Sequence, residues 1–181
     1  MHLVRSVQPV RRALLQSSLR WLAASAWAAL VGAGCYGMPA AGPYASAPPD
    51  WNAGEIAWAE YTSGLAAAKA ERKPIVLVFY TDWCPHCHEY SRLFHDSEIV
   101  RLSQRFVMIR VERDSHRDIS AVYDIDGEYI PRTFFLSPTG VVLTDLGSDH
   151  DEFRYFLDER DPGELIDRMR RSMAEGDVAH D

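Results

Sequence analysis

The sequence predicts an α/β domain with a central mixed β-sheet flanked by helices, and three observations lead to this expectation. Residues 73–81 form a continuous run rich in β-branched and aromatic residues, which is typical of a strand buried on both faces of a sheet. Residues 106–113 alternate in the manner of a second strand. Segments with helical spacing lie between the strands, so we expect parallel strands joined by crossovers.

Local signals predict the remaining elements. Ser63 and Ser97 are serines suited to begin helices. Asp161 and Pro162 predict the cap and first residue of a last helix, which is expected to stop at Gly176. A Ser-Pro-Thr-Gly turn predicts a hairpin, which adds an antiparallel edge to the sheet. The predicted ranges are 56–61 (strand), 63–72 (helix), 73–81 (strand), 88–96 (helix), 97–105 (helix), 106–113 (strand), 131–146 (hairpin) and 161–176 (helix).

The charge of the chain is divided unevenly. The net charge is −7, yet no acidic residue precedes Asp50, and the part before it carries four arginines. The part from Asp50 onward therefore carries a formal charge of −11. Nucleic acids and anionic membrane surfaces are also negatively charged and would repel this part of the chain, so we expect no nucleic-acid partner.

The beginning of the chain has the pattern of an export signal. Arg11 and Arg12 precede the uncharged segment 21–34, which is rich in small apolar residues. This segment is short for a membrane span of about 20 residues and suits a signal-peptide core. We predict a signal peptide over residues 1–35, with a retained membrane anchor as the alternative. The paired arginines leave a twin-arginine signal open.

Cys35 ends the stretch Leu-Val-Gly-Ala-Gly-Cys, which resembles the cleavage box of a bacterial lipoprotein, although Gly32 replaces the usual larger residue. Residues 36–50 are rich in Pro, Ala and Gly and are predicted to form a flexible linker. Lipidation of Cys35 would attach the protein to a membrane, whereas ordinary cleavage would remove this cysteine. In either case we expect an exported protein of the bacterial periplasm or cell envelope.

The folded domain, predicted to span residues 51–176 ahead of a tail at 177–181, contains only Cys84 and Cys87. A disulfide between them would close a very small loop and so would add little stability. A domain of this size does not need such a staple. We infer that the pair serves chemistry.

A redox centre is the first of three sites compatible with Cys-Pro-His-Cys-His. Cys84 follows a buried strand and begins a helix, where unpaired N–H groups and the helix dipole favour a thiolate. Cys87 lies one turn further on, within reach of a disulfide. His86, when protonated, would favour the anion, and Pro85 fits an early helical position.

Haem and zinc are the other two possibilities. Haem attached through the cysteines would take His88 as an axial ligand and Met108 as a candidate second ligand. Such cytochromes are mostly helical, and Met108 occupies an alternating strand position that favours ordinary packing. Structural zinc needs four ligands, and no second pair accompanies these cysteines. We therefore expect redox chemistry with no cofactor and no metal.

The sequence resembles the thioredoxin superfamily, which implies a thioredoxin-like fold. Residues 83–87, Trp-Cys-Pro-His-Cys, look like its active site, and residues 129–133, Tyr-Ile-Pro-Arg-Thr, look like the loop with its cis-proline. Residues 97–114 and 127–140 are similar to small thioredoxin-like proteins of the endoplasmic reticulum and the anterior-gradient group. The Cys-Pro-His-Cys motif itself resembles that of the periplasmic oxidase DsbA.

This resemblance implies a role for each site residue. Cys84 becomes the exposed nucleophile and Cys87 the resolving thiol, while Pro131 faces the disulfide after a cis peptide bond. A trans proline at the strand entry is the alternative. Catalytic roles are expected for Cys84, Cys87, His86 and Pro131, and substrate binding for Trp83, Pro85, Ile130 and Arg132.

Three of these expectations carry more detail. Ile130 would offer backbone hydrogen bonds to an extended substrate. Trp83 is expected at the rim of the site, with core packing as the alternative. Arg132 would either add positive potential near the thiolate or be an ordinary solvated arginine.

The sequence also departs from the family pattern. Val78 stands where thioredoxin and DsbA keep a buried acid six residues before the first cysteine, so Glu112 or a water is a candidate to assist Cys87. The chain ends in Asp-Val-Ala-His-Asp, without a KDEL-like retention signal. We therefore expect a bacterial envelope rather than the endoplasmic reticulum.

These observations predict an exported thiol–disulfide oxidoreductase. A lowered thiol pKa favours the oxidase or isomerase direction, with a reductase as the second choice. The expected partners are cysteine-containing exported proteins and a membrane or soluble redox partner, and the protein is expected to be a monomer. A binding or chaperone-like module with redox-sensing cysteines is the alternative from another class.

Overall fold

The computed structural model describes residues 48–178, which form a four-stranded sheet with helices on both faces. The elements are β1 (Trp58–Ala59), α1 (Tyr61–Glu71), β2 (Ile75–Tyr80), α2 (Pro85–Ser91), α3 (Ser97–Ser103), β3 (Val107–Glu112), α4 (Arg117–Val122), β4 (Arg132–Leu136) and α5 (Pro162–Val178). Short 3₁₀ turns occur at Arg92–His95 and Thr144–Leu146.

The sheet has the strand order β1-β3-β2-β4. Strand β3 pairs in parallel with both β1 and β2, and β2 pairs antiparallel with β4. The two central strands are long and apolar because both of their faces are covered. The predicted mixed sheet, parallel through crossovers and then antiparallel at an edge, is confirmed.

Side chains alternate between two hydrophobic layers, one on each face of the sheet. One layer packs α2, α3 and α5 against alternate residues of β2 such as Val76 and Val78. The other layer packs α1 against the intervening residues such as Leu77 and Phe79. Helix α1 lies very close to β3 because Gly64 has no side chain there: a Cβ would sit 2.6 Å from Cδ1 of Ile109.

Only the first strand of the predicted hairpin forms in full. Strand β4 is present, but its predicted partner is reduced to a single bridge between Leu136 and Val142 within the described residues. The chain then turns into the 3₁₀ segment that begins at Thr144. The prediction of two full strands over 131–146 was therefore wrong in its second half.

Helix α4 was not predicted, because its six residues are too few to show an amphipathic period. Two helix starts also differ from expectation. Asp96 caps α3, with Oδ1 accepting from the N–H groups of Glu98 and Ile99 at 2.8 and 3.2 Å, so the helix begins at Ser97 without using its hydroxyl as the cap. The hydroxyl of Ser63 instead donates to the carbonyl of Glu60 inside the first turn of α1.

The last helix begins as predicted and ends later. Oδ1 of Asp161 accepts from the N–H of Gly163 at 2.8 Å, and Pro162 is the first helical residue. The helix continues through Gly176 to Val178, so the predicted stop was wrong.

Several predictions fall on parts of the chain outside the described residues. These are the signal peptide over residues 1–35, lipidation or removal of Cys35, and most of the linker at 36–50. Between residues 48 and 178, no helix is both long and apolar enough to cross a membrane.

Candidate active site

The two cysteines lie where β2 gives way to α2. Cys84 is the N-cap of the helix, with extended backbone angles, and Pro85 is its first residue. At this position the first N–H groups of the helix have no partner within the helix. The N–H of Cys87 donates to Sγ of Cys84 at 3.4 Å, so the sulfur takes the place of a capping oxygen.

Burial differs across the motif. Cys84 is 4% exposed and Cys87 is fully buried, whereas Pro85 and His86 are exposed. Both thiols are free, and they are one helical turn apart. Cys84 was expected to be exposed, but both thiols are buried, and of the two only Cys84 keeps a small exposed fraction.

The pKa values of the two thiols shift in opposite directions. The pKa of Cys84 falls to about 6, first because the thiol of Cys87 donates a hydrogen bond to it. The backbone N–H groups of Cys87 and His86 and the charge of His86 lower it further, and burial opposes them. The same hydrogen bond and burial raise the pKa of Cys87. Cys84 is thus the thiolate of the pair.

The proline loop lies across from the cysteines. The Ile130–Pro131 peptide bond is cis, as the resemblance implied, and the trans alternative was wrong. Sγ of Cys84 lies 3.9 Å from the carbonyl oxygen of Ile130, to which it donates only when it is protonated. The cysteines and the Ile130–Pro131 segment therefore form one site.

A buried hydrogen bond fixes the distance between these two parts. The hydroxyl groups of Tyr90, on α2, and Thr133, on β4, are 2.7 Å apart. Tyr90 is three residues after Cys87, and Thr133 is two residues after Pro131. The bond therefore ties the helix that carries the thiols to the strand that follows the proline.

Trp83 lies at the rim of the site and is 54% exposed, so core packing is excluded. Its Nε1–H donates to Oδ2 of Asp114 at 2.9 Å, and the guanidinium of Arg113 lies 5.8 Å from the ring centre. These contacts hold a large aromatic surface in the open beside Cys84.

His86 has a partner that was not predicted. Its Nδ1 lies 2.8 Å from Oε2 of Glu159, whose side chain is only 10% exposed, in the segment that precedes α5. The ring also makes an edge contact with Phe156, with centroids 6.0 Å apart. No local signal could have found this pair, because the two residues are 73 positions apart.

Arg132 does not belong to the site, so both expectations for it were wrong. It is fully buried in the opposite hydrophobic layer, with its guanidinium 4.9 Å from the ring centre of Phe79. Its two terminal NH2 groups donate to Ser120 and to the carbonyls of Tyr123 and Gly127, while its buried Nε has no hydrogen-bond partner within the described residues. The period of two in β4 explains this, since Thr133 faces the cysteine side and its neighbour must face away.

Val78 is fully buried and has no ionisable group, as the sequence shows. The candidate substitute, Glu112, accepts from the N–H of Ser115 at 2.7 Å and lines a cavity of about 250 Å³ beside Tyr80 and Arg110. Glu112 is thus engaged at the end of β3, and neither Cys84 nor Cys87 lines this cavity.

The residues of the haem alternative have other contacts. Nε2 of His88 lies 2.8 Å from the carbonyl oxygen of Asp82, a contact that requires a proton on Nε2. Met108 is 2% exposed and packs in the layer below α2 and α3, as its strand position indicated. Across residues 48–178, no three His, Cys, Asp or Glu side chains are grouped so as to hold a metal ion.

The fold and the site define a thioredoxin-fold protein with a dithiol centre, and comparison with known proteins agrees. A Thioredoxin-like family model matches residues 57–138. A solved thioredoxin from Thermus thermophilus superposes with a TM-score of 0.55 at 23% identity, covering 70% of this chain and 94% of that one.

Two proteins with similar sequences are anterior gradient proteins. Anterior gradient protein 2-B of Xenopus laevis is 28% identical over 120 residues, which cover 65% of this chain and 71% of that protein. The anterior gradient protein 2 homolog of Homo sapiens is 26% identical over 122 residues, covering 66% and 67%. The chain is similar to thioredoxin-like proteins and, among them, to the anterior gradient proteins. The predicted resemblance is confirmed.

Proposed function

We propose that this protein is a thiol–disulfide oxidoreductase that uses Cys84 and Cys87 on cysteine-containing exported proteins. One observation carries the proposal: Sγ of Cys84 caps α2 and has a pKa lowered to about 6, while Cys87 beneath it has a raised pKa. Two structural thiols do not need different pKa values, whereas a reactive pair requires one thiol that ionises readily and a second thiol that resolves the mixed disulfide.

The arrangement supports oxidation of a substrate dithiol in two exchanges. A substrate thiolate attacks Sγ of Cys84, the Cys84–Cys87 bond breaks, and Cys87 leaves and takes up a proton. A second substrate thiolate then attacks the substrate sulfur of the mixed disulfide, which releases Cys84 as a thiolate. Two electrons pass from the substrate to the protein. The same steps in reverse reduce a substrate disulfide. A substrate disulfide is isomerised when the substrate leaves the mixed disulfide with a different pairing of its own cysteines.

The oxidase or isomerase direction is favoured because stabilising the thiolate of Cys84 stabilises the reduced protein. A stable reduced form makes the disulfide form a stronger oxidant. A reductase would need an electron donor, and it is the second direction. Regeneration in either direction requires a membrane or soluble redox partner.

The proposed compartment is the bacterial periplasm or cell envelope. The support for it is the apolar leader, the lipoprotein-like box at Cys35 and a dithiol suited to an oxidising compartment. Lipidation of Cys35 would hold the protein at a membrane, with residues 36–50 as the tether. We propose that the protein acts as a monomer, without cofactor or metal.

The experiment is oxidative refolding of a reduced, unfolded exported protein by the purified full-length chain. The wild-type chain should speed recovery of the native protein, and Cys84→Ser should abolish the effect. Mixed with a substrate that already holds disulfides, Cys87→Ser should trap a mixed disulfide, because the Cys84 thiolate attacks a substrate disulfide and no second thiol resolves the product. Thr62→Ser, an exposed change on α1, serves as the matched control. Equal activity of Cys84→Ser and the wild type would reject the proposal.

A binding module is the second candidate. It is favoured by the exposed aromatic surface of Trp83 beside the site and by the sequence similarity to anterior gradient proteins. The Cys84→Ser variant separates the two functions. If the protein is an enzyme, the variant loses its refolding activity. If the protein is a binding module, the variant still binds its partner. Retention of a co-purified partner with no refolding activity in the wild type would favour the binding module.

A further inference from the structure

A groove next to the cysteines has not been given a role. Its wall on one side is Tyr129 and Ile130, and on the other side it is the segment 150–156. Its volume is about 700 Å³, and it is open to solvent. A second depression, which shares His150 and Phe156 with the first, continues to His86. The groove therefore runs from the Ile130 carbonyl, 3.9 Å from Sγ of Cys84, around to the active-site helix.

Phe153 is the unusual residue of this groove. It is 51% exposed, and its backbone φ of 60° lies in the left-handed region, where a bulky side chain is uncommon. Its ring lies against Tyr129 with centroids 4.9 Å apart, nearly perpendicular. Exposure and backbone strain are both unfavourable to the isolated protein, and such costs concentrate at binding sites.

The groove is preformed by hydrogen bonds beneath it. Oδ2 of Asp126 accepts from the hydroxyl of Tyr129 at 2.8 Å and from the N–H of Arg154 at 2.7 Å. The same Tyr129 hydroxyl accepts from the N–H of Tyr155 at 2.9 Å. One carboxylate thus connects both walls, so a ligand meets a surface whose shape is already set.

The charge of the groove is negative. Asp151 and Glu152 line it, and within residues 48–178 neither carboxylate has an ion pair or hydrogen bond. The nearby Arg160 lies 3.9 Å from Glu159, which is also paired with His86. The uncompensated charge is therefore at Asp151 and Glu152, beside the aromatic rings.

We propose that this groove selects the substrate: it binds an extended cysteine-containing segment with an aromatic residue next to the cysteine and a basic residue beyond it. The aromatic side chain packs against the exposed faces of Tyr129, Phe153 and Phe156, and the basic side chain meets Asp151 and Glu152. The occupant is an unfolded chain, because only an unfolded chain presents a buried aromatic residue beside a reactive cysteine. The inference rests on the proposed function and names its substrate class.

Peptides with one cysteine test the proposal. The disulfide form of the full-length chain is mixed with Lys-Phe-Cys-Phe-Lys, Lys-Ala-Cys-Ala-Lys or Glu-Phe-Cys-Phe-Glu, and the rate of mixed-disulfide formation is followed by acid quenching and mass spectrometry. Residues flank the cysteine on both sides, so the direction of binding does not matter. We expect the phenylalanine peptide with lysine to form the mixed disulfide about fivefold faster than the alanine peptide. The lysine peptide should react about threefold faster than the glutamate peptide at low salt, and the two rates should be about equal in 1 M salt.

Variants are compared by these ratios rather than by absolute rates. Phe153→Asn, which suits the left-handed backbone, should abolish the preference for phenylalanine. Asp151→Asn with Glu152→Gln should abolish the preference for lysine. The matched controls lie outside the groove: Val141→Asn, another exposed apolar residue, and Asp118→Asn with Asp145→Asn. The controls should keep both ratios.

Binding without chemistry separates this inference from the proposed function. The affinity of Cys84→Ser for labelled Lys-Phe-Ser-Phe-Lys is measured by fluorescence anisotropy, against the alanine and glutamate peptides. Mixed-disulfide formation with none of the peptides would reject the oxidoreductase but leave the anisotropy result to decide on the groove. Ratios near one in both assays would overturn the inference. So would a groove occupied by a second copy, seen as a dimer that Phe153→Asn dissociates.

Discussion

Nδ1 of His86 and Oε2 of Glu159 lie 2.8 Å apart and join the helix that carries the cysteines to the segment that precedes α5. Both residues line the second depression, which the groove shares at His150 and Phe156. The contact also gives His86 a carboxylate partner, so this exposed ring has a defined position near Cys84. The chemistry of the motif and the shape of its surroundings are therefore linked through one pair.

The thiolate of Cys84 should titrate with a midpoint near pH 6, since its pKa is lowered to about 6. A group with a folded pKa below its unfolded value of about 8.5 stabilises the folded state fully above the unfolded value, and this is lost as the pH falls through 6. The reduced wild type should thus gain stability over Cys84→Ser between pH 6 and 9. Thiolate absorbance and denaturant unfolding of both proteins measure this. A midpoint near 8.5 would contradict the assignment.

Replacing His86 should raise the pKa of Cys84 by less than replacing Cys87 does. The thiol of Cys87 is the foremost cause of the lowered pKa, whereas the charge of His86 is the least of the named causes and acts from an exposed ring. Titration of His86→Ala and Cys87→Ala by the rate of alkylation at varied pH tests the order. His88→Ala is the control on the same helix. A larger shift in His86→Ala than in Cys87→Ala would reverse our ranking.

Replacing Arg132 should lower stability and leave the thiol titration unchanged. Its buried guanidinium donates to Ser120 and to two backbone carbonyls, which Arg132→Met would leave without those donors. We expect a loss of about 2–4 kcal/mol in the free energy of unfolding. Arg105→Met, at an exposed position, should change stability by less than about 0.5 kcal/mol. If Arg132→Met kept its stability but altered peptide binding, the original substrate-binding expectation would be restored.

The hydroxyl pair of Tyr90 and Thr133 should behave as a coupled unit. Tyr90→Phe leaves the buried Thr133 hydroxyl without its partner at 2.7 Å, and we expect a loss of about 1–2 kcal/mol. The double change with Thr133→Val removes both partners and should cost less than the two single changes together. Denaturant unfolding of the four proteins gives the coupling. Additive losses would mean that the bond does not hold α2 to β4.

Resolution of the mixed disulfide should accelerate steadily with pH. Cys87 must lose its proton before it attacks. The hydrogen bond to the Cys84 thiolate is lost in the mixed disulfide, but burial still raises the pKa of Cys87, and Val78 provides no carboxylate. We therefore expect the rate to rise through the whole range from about pH 6 to 9 without a plateau. Quenched-flow measurement on the preformed mixed disulfide tests this. A plateau near neutral pH would show that another group takes up the proton.

The features that depend on local residue patterns could be predicted from the sequence alone. The buried run of β2, the alternation of β3 and the position of Cys84 at a strand–helix junction depend on neighbouring residues, so they could be predicted. The alternation of side chains in β4 could also have predicted that Arg132 faces away from the cysteines, because adjacent residues such as Arg132 and Thr133 face opposite sides of the sheet. That signal was missed because a buried arginine is rare and its acceptors are brought together only by the fold.

The groove could not have been predicted. Tyr129 and Phe153 are 24 positions apart, and the segment between the hairpin and α5 has no period that fixes its path. Its conformation depends on single hydrogen bonds such as those of Asp126, which join residues distant in the chain. Such contacts become visible only when the sheet has placed both ends.

The reduction potential of the Cys84–Cys87 couple tests the central claim most directly. The full-length chain is equilibrated with glutathione mixtures, and thiol trapping gives the fraction reduced. A potential between about −120 and −180 mV is the predicted result, because the helix start, Cys87 and His86 stabilise the thiolate of the reduced form. A potential near about −270 mV would contradict the oxidase or isomerase direction. The absence of any two-electron couple would contradict the oxidoreductase itself.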